Sequence, residues 1–356
     1  MCLLQCQCCI HTQSLRNRTI IYIGNKLAGN GNTPTTIDVL GPRLEIEGYT
    51  LYYASDRANI IFRLLHMLYS IVKHARKADL VLVDTYSTWA FYFAYVSGML
   101  SRLLGIKYIP ILHGGNLPDR FERSPKMCRL LFGKSYANVV VSGYLQQHLK
   151  KVSLSSELIP NSIDIKSYPF LLRKVLKPRL LWVRAFEDTY NPTMALRVLS
   201  NVMKTYPEAT LAMVGPGKDR SMAECKKLVQ EMRIANSVIF TGRLERIEWL
   251  KLAREYDIFI NTARFDNMPV SVIEAMALGL PVISTNVGGM PFLIENGVNG
   301  FLSEDGDADA MASAIITLLQ SEGLGEMMSL AARKNAERFS WDSARKKWSA
   351  LLQEIC

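Results

Sequence analysis

Little in this chain points to disulfide, metal or membrane-spanning chemistry. Of its seven cysteines, four crowd at Cys2, Cys6, Cys8 and Cys9, and the other three follow no regular interval. An odd count without regular spacing suits reduced, cytoplasmic thiols. Zinc would need a second ligand pair near that cluster, where only His11 is at hand. The run Asp305-Gly306-Asp307-Ala308-Asp309 opens like a calcium loop, but Ala310 and Ile316 stand where the sixth-position glycine and twelfth-position glutamate belong. It reads instead as a turn and N-cap for a helix over 307–320. No apolar run reaches the roughly 20 residues of a span; in 88–108 about 14 separate Thr88 from the first charge, Arg102. The segment 1–18 has neither a basic start nor a sustained apolar run, so it does not read as a secretory signal, and Gln5 is too large for a lipoprotein cleavage site. A disordered extension is expected there. Low-complexity stretches and nucleic-acid recognition motifs are also missing, so no nucleic-acid partner is expected.

What the chain does have is core-forming material. With 356 residues, 49% hydrophobic and 21% charged, it is a globular protein too long for one α/β core at ~100–200 residues per domain. Strand-like runs alternate with helical ones throughout, the pattern of parallel sheets covered on both faces. The first half offers TIIYIG (19–24), TLYYAS (50–55), LVLVDT (80–85), KYIPILH (107–113) and NVVVSG (138–143). The second offers RLLWVR (179–184), TLAMVG (210–215), SVIFTG (237–242), DIFINT (257–262) and LPVIST (280–285). The expected fold class is α/β, with two doubly wound, Rossmann-like domains over 19–164 and 165–340. The linker LIPNSIDIKSYP (158–169) carries two prolines, and 341–356 reads as an amphipathic helix with Trp341, Ala344, Trp348, Leu351 and Leu352 at helical spacing.

The most informative stretch is 261–302, where Asp266 and Glu274 stand with seven residues between them across a strand-to-helix turn. Proline is favoured at the first helical position, so a helix is expected from Pro269, stopping at Gly279. Its unpaired N–H groups and positive dipole end form an anion site suited to a diphosphate. Glu274 then lies roughly 7–8 Å further along the axis at 1.5 Å per residue. It could meet a ribose there, while Asp266 in the loop meets a sugar.

This stretch, followed by GLPVISTNVGG, resembles the donor-site motif of the retaining glycosyltransferases of family 4, which have the GT-B fold. The resemblance implies two domains facing a cleft, with 341–356 crossing back onto the first. It implies that Glu274 holds the donor ribose, Asp266 touches the transferred sugar, and the backbone of Asn267, Met268, Pro269 and Val270 contacts sugar and phosphate. The first acid of that motif is normally Glu, one methylene longer than Asp266. Arg184 ends a strand where the family has an arginine that neutralises the diphosphate, although alone it reads as a solvated strand-end residue. Asn191-Pro192 matches the family's Lys-Asn-Pro with Tyr190 in the Lys slot, which brings a hydroxyl but no charge. Gly215 and Gly217, and Gly242 with Arg243, resemble loops that frame the base, though glycine-ended strands are common in α/β proteins. His113, before Gly114-Gly115, matches a sugar-facing histidine. The loop 24–34, with Gly29 and Gly31, follows the first strand where backbone N–H groups could reach phosphate or sugar. It is neither a clean GxGxxG nor, lacking Gly-Lys-Ser/Thr, a P-loop; a plain surface turn is the alternative.

Charge is unevenly divided. Residues 1–165 hold 18 Lys+Arg against 10 Asp+Glu, a net of +8, and the remainder holds 24 against 22, a net of +2. In 59–77, Arg63, His66, Ser70, Lys73 and Lys77 fall on one helical stripe. Packed helices with solvated basic faces and docking on an anionic membrane surface both fit this pattern.

The resemblance implies a retaining hexosyltransferase that needs no metal or cofactor. It would use a nucleotide-sugar donor and a glycan or lipid-linked acceptor, peripheral on the inner face of the cytoplasmic membrane. A nucleotide-sugar epimerase of the same fold, or a silent sugar-binding subunit, fits the same residues. Donor base, sugar, linkage and oligomeric state are not written in the sequence.

Overall fold

A computed structural model describes residues 18–26, 35–57 and 59–355. Residues 1–17 of the extension expected over 1–18, with its cysteine cluster, and Gly29 and Gly31 therefore lie outside the described residues. In chain order the regular elements begin with β1 (Thr19–Ile23), α1 (Thr36–Ile46), β2 (Thr50–Ala54), α2 (Ile60–His74), β3 (Leu80–Thr85), α3 (Ala90–Leu103) and β4 (Lys107–Leu112). Next come α4 (Leu117–Arg123), α5 (Pro125–Gly133), β5 (Val139–Val140), α6 (Gly143–Lys151) and β6 (Glu157–Leu158). The second half follows with β7 (Arg179–Val183), α7 (Pro192–Met203), β8 (Thr210–Val214), α8 (Ser221–Glu231), β9 (Val238–Gly242), α9 (Arg246–Ala253), β10 (Ile258–Asn261) and α10 (Val270–Ala277). It closes with β11 (Val282–Thr285), β12 (Gly300–Ser303), α11 (Ala308–Gln320), α12 (Leu324–Glu337) and α13 (Trp341–Gln353). Each strand expected from the sequence is present, β3 at its full length and the others shortened by one to four residues; β6 and β12 were not expected.

The strands form two six-stranded sheets, β2-β1-β3-β4-β5-β6 and β12-β11-β10-β7-β8-β9. Pairing is parallel, with Thr19 opposite Thr50 in the first sheet and Arg179 opposite Thr210 in the second. Parallel strands are covered by helices on both faces, so they read as continuous apolar runs. Ile20 to Ile23 and Leu80 to Val83 are accordingly buried.

The chain divides into two compact units. One comprises the residues up to Thr85, Trp89–Ile111 and Lys126–Ala137; the other comprises Tyr86–Thr88, Leu112–Pro125 and everything from Asn138. This division does not coincide with a boundary at 164/165. β5 and β6 are only two residues long, and with α6 and α13 they cluster in the second unit. There the Ile163 N–H donates to the Phe339 carbonyl and the Lys347 ammonium donates to Leu158 O at 2.8 Å.

In the first unit α2 turns out differently from its sequence reading. The stripe Arg63, His66, Ser70, Lys73, Lys77 is not uniformly solvated. Ser70 is buried, and Arg63 and His66 are half-buried, with Arg63 reaching Asn25 Oδ1 at 3.1 Å and His66 Nδ1 lying 3.0 Å from Ser55 Oγ. Only Lys73 and Lys77 of the five are exposed. The reason is rotational: the face that meets the sheet is centred on Met67, Ser70 and Ile71. The weakly apolar 88–108 stretch is an ordinary packed helix, α3, burying Phe91, Phe93, Ala94 and Ser97. Gly133-Lys134-Ser135 ends α5 instead of following a strand, so it makes no phosphate loop.

The second unit holds two apolar clusters, one on each face of its sheet. At the amino edge Arg173, only 3% exposed, binds four carbonyl oxygens: Leu171 at 2.8 Å, Ala253 at 3.0 Å, Tyr256 at 3.3 Å, and Leu278. It thereby fastens the ends of α9 and α10 to the segment before β7. Burial lowers its pKa to about 10, a measure of how strongly the site is desolvated. Arg173→Ala would strand those carbonyls. Given ~1.5–3 kcal/mol for a hydrogen bond to a charged group, a loss of at least about 3 kcal/mol is expected in urea unfolding; a loss below about 1 kcal/mol would show that the helix ends hold without it.

Candidate functional site

Strand order in the second sheet fixes where a site can form. From β7 the chain proceeds outward to β8 and β9, then returns to place β10 on the other side of β7. The loops leaving β7 and β10 therefore diverge at a topological switch point, where open parallel sheets leave a crevice at their carboxyl edge. Arg184 follows β7 and Asp266 lies in the loop after β10. At this point the Arg184 Nη2 and Asp266 Oδ2 atoms form an ion pair, with both side chains more than four-fifths buried. Arg184 Nε is also buried and has no hydrogen-bond partner among the described residues.

Glycines hold these loops together. Gly215 has φ +147, and a Cβ there would overlap the Arg184 carbonyl oxygen. The Arg184 N–H donates to Val214 O at 2.9 Å, and the Gly215 N–H to Gly242 O at 2.9 Å. The ends of β7, β8 and β9 are thus laced edge to edge. Gly288 and Gly289 lie against the backbone of Asp266 and Asn267 so closely that side chains would not fit, and the Gly289 N–H donates to Asp266 O at 2.9 Å. The sequence reading gave this Gly-Gly pair no role, although its position after a strand is a visible signal of close backbone approach.

Tyr190 occupies the slot where the sequence reading missed a cation. Its ring lies under the Arg184 guanidinium, 5.0 Å from ring centroid to Cζ, so it supports the cation through its π face. Burial raises the pKa of its hydroxyl, with Arg184 opposing. Thr262 fixes the loop that carries it, donating to the Tyr190 and Asn191 carbonyls while accepting from Trp182 Nε1 at 3.0 Å. Asn191, at φ +44, caps α7, with Pro192 in its first position.

α10 starts one residue later than expected. Pro269 is its N-cap, with ψ +113, and Val270 is the first helical residue. The helix ends as expected: Gly279 has φ +79, its N–H donates to Met276 O, and the Leu280 N–H donates to Ala275 O, the paired bonds of a Schellman cap. Glu274 receives a hydrogen bond from the Tyr168 hydroxyl, and Arg246 stacks on the Tyr168 ring at 4.9 Å. Tyr168 is held in turn by Arg333, which donates to the carbonyls of Tyr168 and Ala277 at 2.9 and 2.7 Å. Tyr168, Arg246 and Arg333 escaped sequence reasoning because only the fold brings them to Glu274. Burial raises the Glu274 pKa against the opposing pull of Tyr168, Arg246 and Arg184.

Asn267, buried, donates to the His113 carbonyl at 3.0 Å and accepts from the Ser142 hydroxyl. His113 is half-buried with its ring 5.4 Å from that of Tyr86, and Phe265 and Asn267 leave Gly115 no room for a side chain. Met268 packs on the second apolar cluster. Gly217 pairs with Phe186, the Gly242 carbonyl accepts from the Gly215 N–H, and Arg243 is exposed. No cluster of three or more His, Cys, Asp or Glu side chains suited to a metal occurs among the described residues.

The raised Glu274 pKa has a signed consequence. Its folded-state pKa lies above the unfolded value, so the fold favours the protonated carboxyl. That contribution to stability is complete below the ordinary glutamate range and is lost as pH rises through the raised value. Glu274→Gln imitates the protonated form and keeps an acceptor for Tyr168. Its melting temperature at neutral pH should equal or exceed that of the wild type, with the difference closing in acid. A clearly lower value at neutral pH would mean that Tyr168 and the two arginines outweigh desolvation.

Comparison with known proteins agrees with this architecture. The family model described as glycosyl transferases group 1 matches residues 169–335, just under half of the chain. A sulfoquinovosyl transferase of Arabidopsis thaliana is 31% identical over 156 residues, covering 43% of this chain and 29% of that protein. The amylovoran biosynthesis glycosyltransferase AmsK of Erwinia amylovora is 25% identical over 283 residues, covering 74% and 69%. The chain thus spans under a third of the first relative and about two thirds of the second. A crystal structure of Anabaena HepE in complex with UDP and glucose superposes with a TM-score of 0.74 at 18% identity, covering 94% of this chain and 99% of that one. That likeness shows the fold, GT-B, and the stretch 169–335 is similar to the glycosyl transferases group 1 family.

Proposed function

We propose that this glycosyltransferase moves a sugar, in the simplest case a hexose, from a nucleotide-sugar donor to a growing, lipid-linked glycan, with retention of anomeric configuration and without a metal ion. The observation that supports this reading best is the Arg184–Asp266 pair at the switch point, with Arg184 also close enough to pull on the Glu274 pKa. A cation with an unsatisfied buried N–H is what a diphosphate would seek. The UDP and glucose in the HepE complex and the polysaccharide role in the name of AmsK favour the same class of substrate.

In the proposed reaction the donor diphosphate takes Arg184 from Asp266, and the released carboxylate accepts from a hydroxyl of the sugar. Glu274, steadied by Tyr168, accepts from the ribose, and the loops at Gly215, Gly217, Gly242 and Arg243 frame the base. The N–H groups at the start of α10 face the sugar and phosphate, and His113 contacts the sugar. The bond from the anomeric carbon to the phosphate oxygen breaks with its electron pair going to the diphosphate. The acceptor oxygen bonds to that carbon on the same face and gives its proton to the departing phosphate. Arg184 stabilises the charge that develops there. The acceptor would be met at the cytoplasmic face of the membrane.

A thermal-stability screen with nucleoside diphosphates should identify the base, since a ligand at 100 times its Kd stabilises by ~2.7 kcal/mol. Products should then be analysed with and without acceptor. Release of an epimerised donor without acceptor would identify an epimerase, and binding with neither hydrolysis nor transfer a silent sugar-binding subunit. Arg184→Ala is expected to lower kcat about 100-fold or more, the usual cost of one transition-state donor. A rise in KM alone would remove that role. Tyr190→Phe should stay within about threefold of wild type because the stacking face survives; collapse of its activity would return the role to the hydroxyl.

A further inference from the structure

The rotation of α2 that buries Ser70 has a counterpart on the opposite side of the helix. Ile61, Phe62, Leu65, Tyr69 and Val72 are between 55 and 66% exposed. At 3.6 residues per turn these five positions fall within a sector of about 100°. Isolated apolar residues on a surface need no explanation, but five large ones on one face of one helix do. The sheet is covered by Met67, Ser70 and Ile71, so this face contributes nothing to the core of its own unit.

The surrounding charge selects the occupant. At the amino end of the helix Arg57 pairs with Asp56 at 3.6 Å, and Asp56 also approaches His66 at 3.7 Å; between Arg57 and Ala78 there is no Asp or Glu, and Lys73, Arg76 and Lys77 are exposed toward the carboxyl end. Lys73 folds its ammonium toward the ring of Tyr69, 5.5 Å from the centroid, at the border between the apolar and basic residues. Residues 1–165 carry a net +8 from 18 basic and 10 acidic residues. A neutral protein partner would satisfy the apolar side chains but would not need the cations. An anionic bilayer satisfies both: acyl chains take up Ile61, Phe62 and Leu65, and headgroup phosphates take Lys73, Arg76 and Lys77. Fifteen residues give a helix of roughly 22 Å, too short to cross a ~30 Å hydrocarbon core. Among the described residues no helix is long and apolar enough to span a membrane.

We infer that α2 lies in the plane of an anionic lipid surface with its Ile61-Phe62-Leu65-Tyr69-Val72 face inserted among the acyl chains and its basic flank on the headgroups. This rests on the proposed membrane-side acceptor and deepens it, replacing a purely electrostatic stripe with an insertion face. The two differ in their response to salt, because screening weakens attraction between charges and leaves apolar burial intact.

Co-sedimentation of the full chain with phosphatidylcholine vesicles, with and without phosphatidylglycerol, separates them. No donor or acceptor is added, so the result does not depend on the transferase reading, which the nucleotide screen tests independently. The wild type is expected to bind the anionic vesicles, with part of the binding surviving high salt. Phe62→Ser with Leu65→Ser should lower binding at least tenfold at every salt concentration while keeping the wild-type melting temperature and nucleotide affinity. Lys73→Ser with Lys77→Ser should lose only the salt-sensitive part. Vesicle binding unaltered by the Phe62/Leu65 pair, or no binding by the wild type at any salt, would overturn the inference. So would sedimentation showing a dimer that the same pair dissociates, or equal exposure of the helix to a protease with and without vesicles.

Discussion

The Arg184–Asp266 ion pair is the interaction around which the second unit's polar edge is arranged. Taking both groups largely out of water is unfavourable, and such a pair persists only where geometry and additional bonds compensate. Here the compensation comes from the neighbouring loops. The Tyr190 ring faces the guanidinium, Thr262 holds the Tyr190 loop, Gly215 admits the Arg184 carbonyl, and Gly288-Gly289 support the backbone of Asp266. The parallel sheet delivers the two partners, since all strand ends in such a sheet point to one edge and the return of the chain from β9 to β10 opens a gap there.

Glu274 illustrates how the same unit treats a charge it cannot pair directly. It takes a hydrogen bond from Tyr168, and the arginines Arg246 and Arg184 act on it electrostatically. Desolvation still prevails and raises its pKa, leaving the carboxyl less ready to ionise than a solvated one. An acid in that condition gains from a ligand hydroxyl that donates to it, in keeping with the ribose role proposed for it. Asn267, bound to the His113 carbonyl and the Ser142 hydroxyl, gives the adjacent loop a fixed backbone instead of a mobile one.

The first unit distributes its side chains differently. α2 turns polar residues inward, onto Asn25 and Ser55, and leaves apolar ones outside. That arrangement is unfavourable for an isolated water-soluble helix and is reasonable only if something covers the face. The exposed Lys73, Arg76 and Lys77 at its carboxyl end narrow what that can be.

Much of the architecture was legible in the sequence because parallel strands, buried on both faces, are nearly continuous apolar runs whatever else the fold does. Ten strands, the Gly279 stop of α10 and the Asp307 cap of α11 follow from local residue chemistry, and the structure contains them. The acid pair and Arg184 could be singled out by position at strand ends. Partnership could not be read locally. Tyr168 meets Glu274 across 106 residues, and Arg184 meets Asp266 across 82. Tyr190 brings no charge of its own, and its contact with the Arg184 guanidinium is visible only in the fold. The orientation of α2 was likewise undecidable, because a helix with apolar residues on more than one side can turn any of them inward. Sequence by itself thus determined which segments are strands and helices and which residues stand at their polar ends. The tertiary structure decided which side chains meet and which face of a helix is left outside, since these depend on strand order and helix rotation, which no local pattern encodes.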